Sequence, residues 1–168
     1  MKRRNFIGAL AGAACVTALS VGSAWSADVT LRLHQFLPPM ATVPKHILKP
    51  WAEQVEETSG GAIAVQHFDA MALGGKPPEL MDQAIDGVAD ITMTVVGYTP
   101  GRYPRTEVFE LPFMMKNPVG TSRAFWEMVE TDFQESEYQD VKVLGAWVHG
   151  PGVIHTKDPV TKLEDMKG

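Results

Sequence analysis

Val29, Leu31 and Leu33 interleave with Thr30, Arg32 and His34, a period-two pattern that predicts a half-buried strand. The period then changes. Ile47, Leu48, Trp51 and Val55 recur at helical spacing, with Thr42 as N-cap and Gly60-Gly61 as the stop, and Pro50 is expected to kink this helix or to mark its true start. Ile63 to Phe68 reads as a second strand. After the loop Leu73-Gly74-Gly75-Lys76-Pro77-Pro78, a second helix carries Leu80, Met81, Ala84, Ile85 and Val88 and ends at Gly87. Residues 90–96 form a third strand, with Ile91, Met93 and Val95 on one face. Asn117-Pro118 opens another helix, whose Val119, Phe125, Met128 and Val129 share a side, and residues 141–148 and 153–156 read as further strands.

Strands alternating with helices predict an α/β chain, with a largely parallel sheet joined by right-handed crossovers. Ligands of such open sheets sit at the carboxyl ends of the strands, so the loops at 35–42, 68–76, 96–105 and 149–152 are the ones to watch.

The first 27 residues stand outside this order. Lys2, Arg3 and Arg4 precede an apolar run from Phe6 to Val21 that is short and alanine-rich for a membrane span, and Ala24, Ser26 and Ala27 offer processing sites. Residues 1–27 therefore read as an export signal that leaves no stable membrane insertion once cleaved. The order Arg3-Arg4-Asn5-Phe6-Ile7 fits a twin-arginine signal and an ordinary secretory one alike. Cys15 as a lipid anchor is disfavoured by Gly12, which stands where a lipoprotein signal usually has leucine.

The 168-residue chain has 15 basic and 20 acidic residues and one cysteine. Without the leader it has none, and 12 basic against 20 acidic residues give a net charge of −8. An acidic, cysteine-free exported chain suits a bacterial periplasm, forms no disulfide, and lacks the basic patch that nucleic-acid partners require.

The sequence contains no Gly-x-Ser-x-Gly, His-Glu-x-x-His, phosphate loop or Gly-x-Gly-x-x-Gly. His149, His155 and Asp158 match no standard metal spacing, and the adjacent carboxylates Glu56-Glu57 and Glu164-Asp165 point apart on a helix. Nothing calls for a metal or cofactor. An enzyme, such as a periplasmic hydrolase, is thus disfavoured, and a ligand-sensing module would need a membrane span that is not evident.

Five motifs occur in one order: Glu56-Glu57-Thr58-Ser59-Gly60-Gly61, Leu73-Gly74-Gly75, Asp86-Gly87-Val88-Ala89-Asp90, Leu111-Pro112-Phe113 and Asp165-Met166-Lys167-Gly168. Together they make residues 29–168 resemble the N-terminal half of a DctP-like solute-binding protein of a tripartite ATP-independent periplasmic (TRAP) transporter. The resemblance implies a two-lobed, periplasmic-binding-protein-like fold and capture of a small organic acid. It also implies hinge closure around the ligand and delivery to TRAP membrane permease subunits, with ion-gradient energy driving uptake. It places the first lobe at 28–149 and the start of the crossover to the second at 150–168. Family members run to about twice this length, and their carboxylate-clamping arginine would fall just past Gly168. The stretch given is therefore expected to be a truncated fragment that cannot bind an organic acid tightly by itself.

By position, the ligand wall of this lobe consists of Phe36 after the first strand, Gly75 after the second, and Val95, Val96 and Tyr98 at the third, joined by Trp147 and His149. None is acidic. Relatives that bind sugar acids place carboxylates and an asparagine around these positions, and an arginine where this chain has Gly152. An apolar and aromatic wall predicts a monocarboxylate with a hydrophobic or aromatic body. Trp147 fits core packing as well as ligand contact, and His149 fits a turn hydrogen bond as well as a ligand oxygen. Arg102 and Arg105 are expected to be solvated or paired with Glu107 or Glu110.

Overall fold

The computed structural model describes residues 27–150 and 152–166. The leader, with Arg3, Arg4 and Cys15, lies outside the described residues. Three parallel strands form one sheet: β1 (Val29–Gln35) is central, β2 (Ile63–Phe68) lies on one side of it and β3 (Ile91–Met93) on the other. Val29 pairs with Ile63 and His34 with Phe68, whereas β3 meets only the carboxyl end of β1, from Leu33 opposite Ile91 to Gln35 opposite Met93.

That register explains why the half-buried pattern holds for only part of β1. Leu33, His34 and Gln35 are all fully buried, while Val29, at the other end, is half exposed. A central strand of a parallel sheet is covered on both faces where both neighbours flank it, so its polar side chains there need internal partners.

The first helical stretch consists of a π turn (Pro44–Leu48) followed by α1 (Lys49–Thr58). Pro50 has no N–H to give the carbonyl of His46, and the backbone widens just before it, with the Lys49 N–H reaching back to Pro44 O. The expected kink is thus a π turn. Thr42 is not the cap: it is already the first helical residue, and Ala41 takes the cap position, its carbonyl accepting from the Lys45 N–H at 3.0 Å. Gly60 and Gly61, both at positive φ, end the stretch as expected. After a 3₁₀ turn (Pro77–Glu79), α2 (Leu80–Ile85) buries Leu80 and stops before Gly87, so Val88 lies outside it.

A separate helical core stands beside the sheet. Asn117 caps α3 (Pro118–Met128), accepting from the Gly120 N–H at 2.7 Å, and the chain runs on through a π turn (Val129–Phe133) into the short α4 (Gln134–Ser136). Phe125, Val129, Phe133, Tyr103 and Tyr138 form the buried cluster. Val119, expected on this face, is 65% exposed. Burial, the largest cause, pushes the Tyr138 phenol up to about 12, and its hydroxyl lies 2.8 Å from Thr106 Oγ1.

Residues 141–148 do not form the expected strand. Their alternation slips by one at Leu144-Gly145: Val141 and Val143, then Ala146 and Val148, pack on the helical core, and Leu144 and Trp147 face outward. Ladder hydrogen bonds are replaced by side-chain ones, with the Val143 N–H on Gln134 Oε1 and the Val148 N–H on Ser122 Oγ, both at 3.0 Å. A strand needs a neighbouring backbone, and this segment meets helix side chains instead. Residues 153–156 form no strand either, and Val153 and Ile154 are exposed.

Candidate ligand-binding site

The carboxyl ends of β1, β2 and β3 lie side by side, and each leads into a constrained loop. After β1, Gln35 folds back on its own loop: its Nε2 donates to Leu37 O and to Asp69 Oδ1, each at 2.7 Å, and its Oε1 accepts from the Leu37 N–H. This fixes the backbone on either side of Phe36. Asp69 also faces Lys49 Nζ at 3.9 Å.

After β2, Ala70 and Met71 both sit at positive φ, 53° and 61°, a conformation that costs side-chain-bearing residues energy. They are held there by the first loop, the Ala70 N–H donating to Leu37 O at 3.1 Å and the Met71 N–H to Gln35 O at 3.0 Å. The next turn is tied residue by residue. The Leu73 N–H donates to His34 Nε2 (3.3 Å), Gln83 Nε2 donates to Gly74 O (3.1 Å), and the Lys76 N–H donates to Glu79 Oε2 (3.3 Å). Gly75 sits at φ 82°, where a side chain is strained, and a Cβ there would lie 2.6 Å from Gln83 Nε2 and 2.7 Å from Glu79 Oε2, displacing those side-chain ends.

After β3, Val95 leads into a 3₁₀ turn (Val96–Tyr98) that returns Tyr98 toward the first loop. The Phe36 and Tyr98 rings meet edge to face, with centroids 5.6 Å apart and planes at 68°. A Cβ at Gly97 would overlap the Glu110 carboxylate.

Of the residues expected in the wall, Phe36 and Tyr98 are thus in contact, and Gly75 and Val95 lie in the adjoining loops. Val96 packs against the helical core. Trp147 is 41% exposed on the outward side of its segment, so it is not a core residue. His149 Nδ1 bonds its neighbour's carbonyl, Gly150 O, at 2.6 Å, the turn role. The arginines pair differently from expectation, Arg102 with Asp82 at 2.7 Å and Arg105 with Asp132, because α2 and the π turn before α4 bring those aspartates closer than Glu107 or Glu110. Arg32 pairs with Asp90 at 3.1 Å. Phe36 and Tyr98 thus make an aromatic contact at the strand ends, and each of these three arginines is paired with an aspartate.

His34, Gln35 and Gln83 were not singled out in the sequence. The signal that could have found them is a polar pair at the carboxyl end of a central strand, where burial forces each side chain to bond a loop.

The chain matches the family model described as bacterial extracellular solute-binding protein, family 7 (DctP), over residues 34–168. It belongs to that family. Members are solute-binding proteins of transporters, not enzymes. A TRAP solute-binding protein from Rhodoferax ferrireducens T118, solved with copurified benzoate, is 52% identical over 77% of this chain and 40% of its own, with a TM-score of 0.72. A marine-metagenome TRAP solute-binding protein specific for aromatic acids, from an unidentified microbe and solved with 3-hydroxybenzoate, is 50% identical over 82% of this chain and 42% of its own, with a TM-score of 0.75. The outer membrane transporter protein TsaT of Comamonas testosteroni is 30% identical over 98% of this chain. The chain spans about half the length of TsaT and about two fifths of the two solved proteins. These neighbours have two-lobed folds, of which this family 7 chain covers about the first lobe. Among the described residues no helix is long and apolar enough to cross a membrane.

Proposed function

We propose that this chain supplies the first-lobe wall of a periplasmic TRAP solute-binding subunit that captures an aromatic monocarboxylate for a membrane permease. The Phe36–Tyr98 edge-to-face pair carries this reading: it is an aromatic surface held at the carboxyl ends of β1 and β3, where an open parallel sheet presents its ligand. An aryl ring stacks on such a surface, while a polyhydroxylated acid would find few hydrogen-bonding side chains there. The benzoate and 3-hydroxybenzoate bound by proteins about half identical to this one support the same class. With Arg32, Arg102 and Arg105 already paired, the carboxylate's counter-charge comes from an arginine of the opposite lobe. Residues 28–149 form the first lobe, 150–168 begin the crossover, and residues 1–27 are the export signal, with Arg3 and Arg4 as its basic start.

The test is a thermal-shift and calorimetric screen of the complete product of the gene that encodes this chain. Benzoate, 3-hydroxybenzoate and mandelate should raise the melting temperature and titrate with micromolar or tighter affinity. A response confined to glucuronate, galacturonate or succinate would overturn the reading.

A further inference from the structure

The Gly75 corner is held by a chain of hydrogen bonds that starts on His34. This imidazole is fully buried at the end of β1, and its Nδ1 lies 2.6 Å from Gln83 Oε1. Gln83 turns its amide nitrogen to Gly74 O, so its oxygen faces the histidine and His34 Nδ1 is the donor. His34 Nε2 is then the acceptor for the Leu73 N–H. One tautomer of the neutral ring satisfies all three groups.

We propose that His34 and Gln83 are positioning residues: they form a latch that holds residues 73–75 in the conformation the ligand meets, an inference that rests on the function proposed above. His34 has no exposed surface and acts only through the loop it binds. The loop needs such a device, because Gly74 and Gly75, at φ 91° and 82°, have the largest conformational freedom to lose. Ordering them before the ligand arrives removes that cost from binding. Gln35 does the same for the loop bearing Phe36, so two adjacent residues of one buried strand end hold two separate walls.

The experiment uses the complete gene product with benzoate as probe, following dissociation by stopped flow. Gln83→Leu and His34→Leu should each release benzoate about tenfold faster. His34→Gln, which returns an amide oxygen near the Nε2 position, should restore most of the wild-type rate. Phe133→Leu, in the separate helical core, should lower the melting temperature while leaving release within about twofold. In ligand-free protein, ¹⁵N spectra of the imidazole should show the Nδ1–H tautomer. A ring protonated at Nε2 at neutral pH, or release from Gln83→Leu no faster than from Phe133→Leu, overturns the latch. Failure of the wild-type protein to bind benzoate or 3-hydroxybenzoate overturns the functional reading instead. The tautomer measurement separates the two failures, because it needs no ligand.

Discussion

At the scale of single residues, two ionisable groups tie the fold to pH in ways that can be measured. Asp90 Oδ2 accepts from the Arg32 guanidinium at 3.1 Å and from the Arg32 N–H at 2.7 Å, and these bonds hold its carboxyl below the usual carboxylate range. A lowered folded pKa contributes stability above the unfolded value, which is lost as pH falls through the folded one, here below about pH 4. Asp90→Asn should therefore lower stability by about 1 kcal/mol at pH 7, the pair being partly exposed, and the deficit should shrink in acid; urea unfolding at pH 7 and pH 3 checks both. His67 has the opposite charge type. Burial, the main cause, pushes it below 6.5, opposed by Asp69 and Glu53 and aided by Lys49, and its Nδ1 has no hydrogen-bond partner. The unfolded chain then takes up a proton that the folded chain refuses, so stability falls as pH drops from about 6.5 toward the lowered value. Replacing the ring with His67→Phe should flatten that slope in unfolding measurements from pH 7.5 to pH 5. Neither behaviour could be read from the sequence, because each depends on which neighbour the fold supplies.

At the scale of elements, periodicity was a sound guide wherever an element completes its own hydrogen bonds or finds a parallel neighbour. The first two strands, α1, α2 and the Asn117 cap follow from spacing, the third strand is shorter than the expected 90–96 and ends at Met93, and Pro50 marks a real irregularity whose form depends on how the backbone absorbs a missing N–H. The pattern failed at 141–148. The apolar run there does reach the core, through Val141, Val143, Ala146 and Val148, yet sequence could not show that Ser122 and Gln134 would take the backbone groups a ladder would have used. The helical core is the element-scale feature with the clearest energetic signature. Phe133 is nearly fully buried beside Phe109, with ring centroids 6.4 Å apart, and Arg105 lies over its face at 4.9 Å. Phe133→Ala should cost about 3–5 kcal/mol, read as a drop in the denaturation midpoint.

At the scale of the whole molecule, the strand order β2-β1-β3 gathers three loops that are far apart in sequence at one edge of the sheet. Phe36, Gly75, Val95 and Tyr98 were legible as candidates because parallel topology predicts where ligands sit. Trp147 and His149 were less so, since their placement relied on a strand that does not form. The aromatic pair gives the molecular prediction: Tyr98→Ala should weaken benzoate binding by about two- to tenfold, the range expected for one lost ring contact, with little change in the melting temperature of the ligand-free protein. Isothermal titration of wild type and variant measures it, and an unchanged affinity would remove Tyr98 from the wall.

The crowding at Gly75 reaches beyond binding to how such a site can change over time. The side-chain ends of Gln83 and Glu79 occupy the space where a Cβ would go, so at Gly75 itself the corner presents main chain. A side chain at that position meets a strained φ and displaces the Gln83 amide from Gly74 O, so new specificities arise more readily elsewhere, at Phe36 and Tyr98. A library aimed at redirecting the protein to bulkier acids should leave 73–75 untouched and vary those two rings, where a smaller side chain opens volume without unpicking a hydrogen bond.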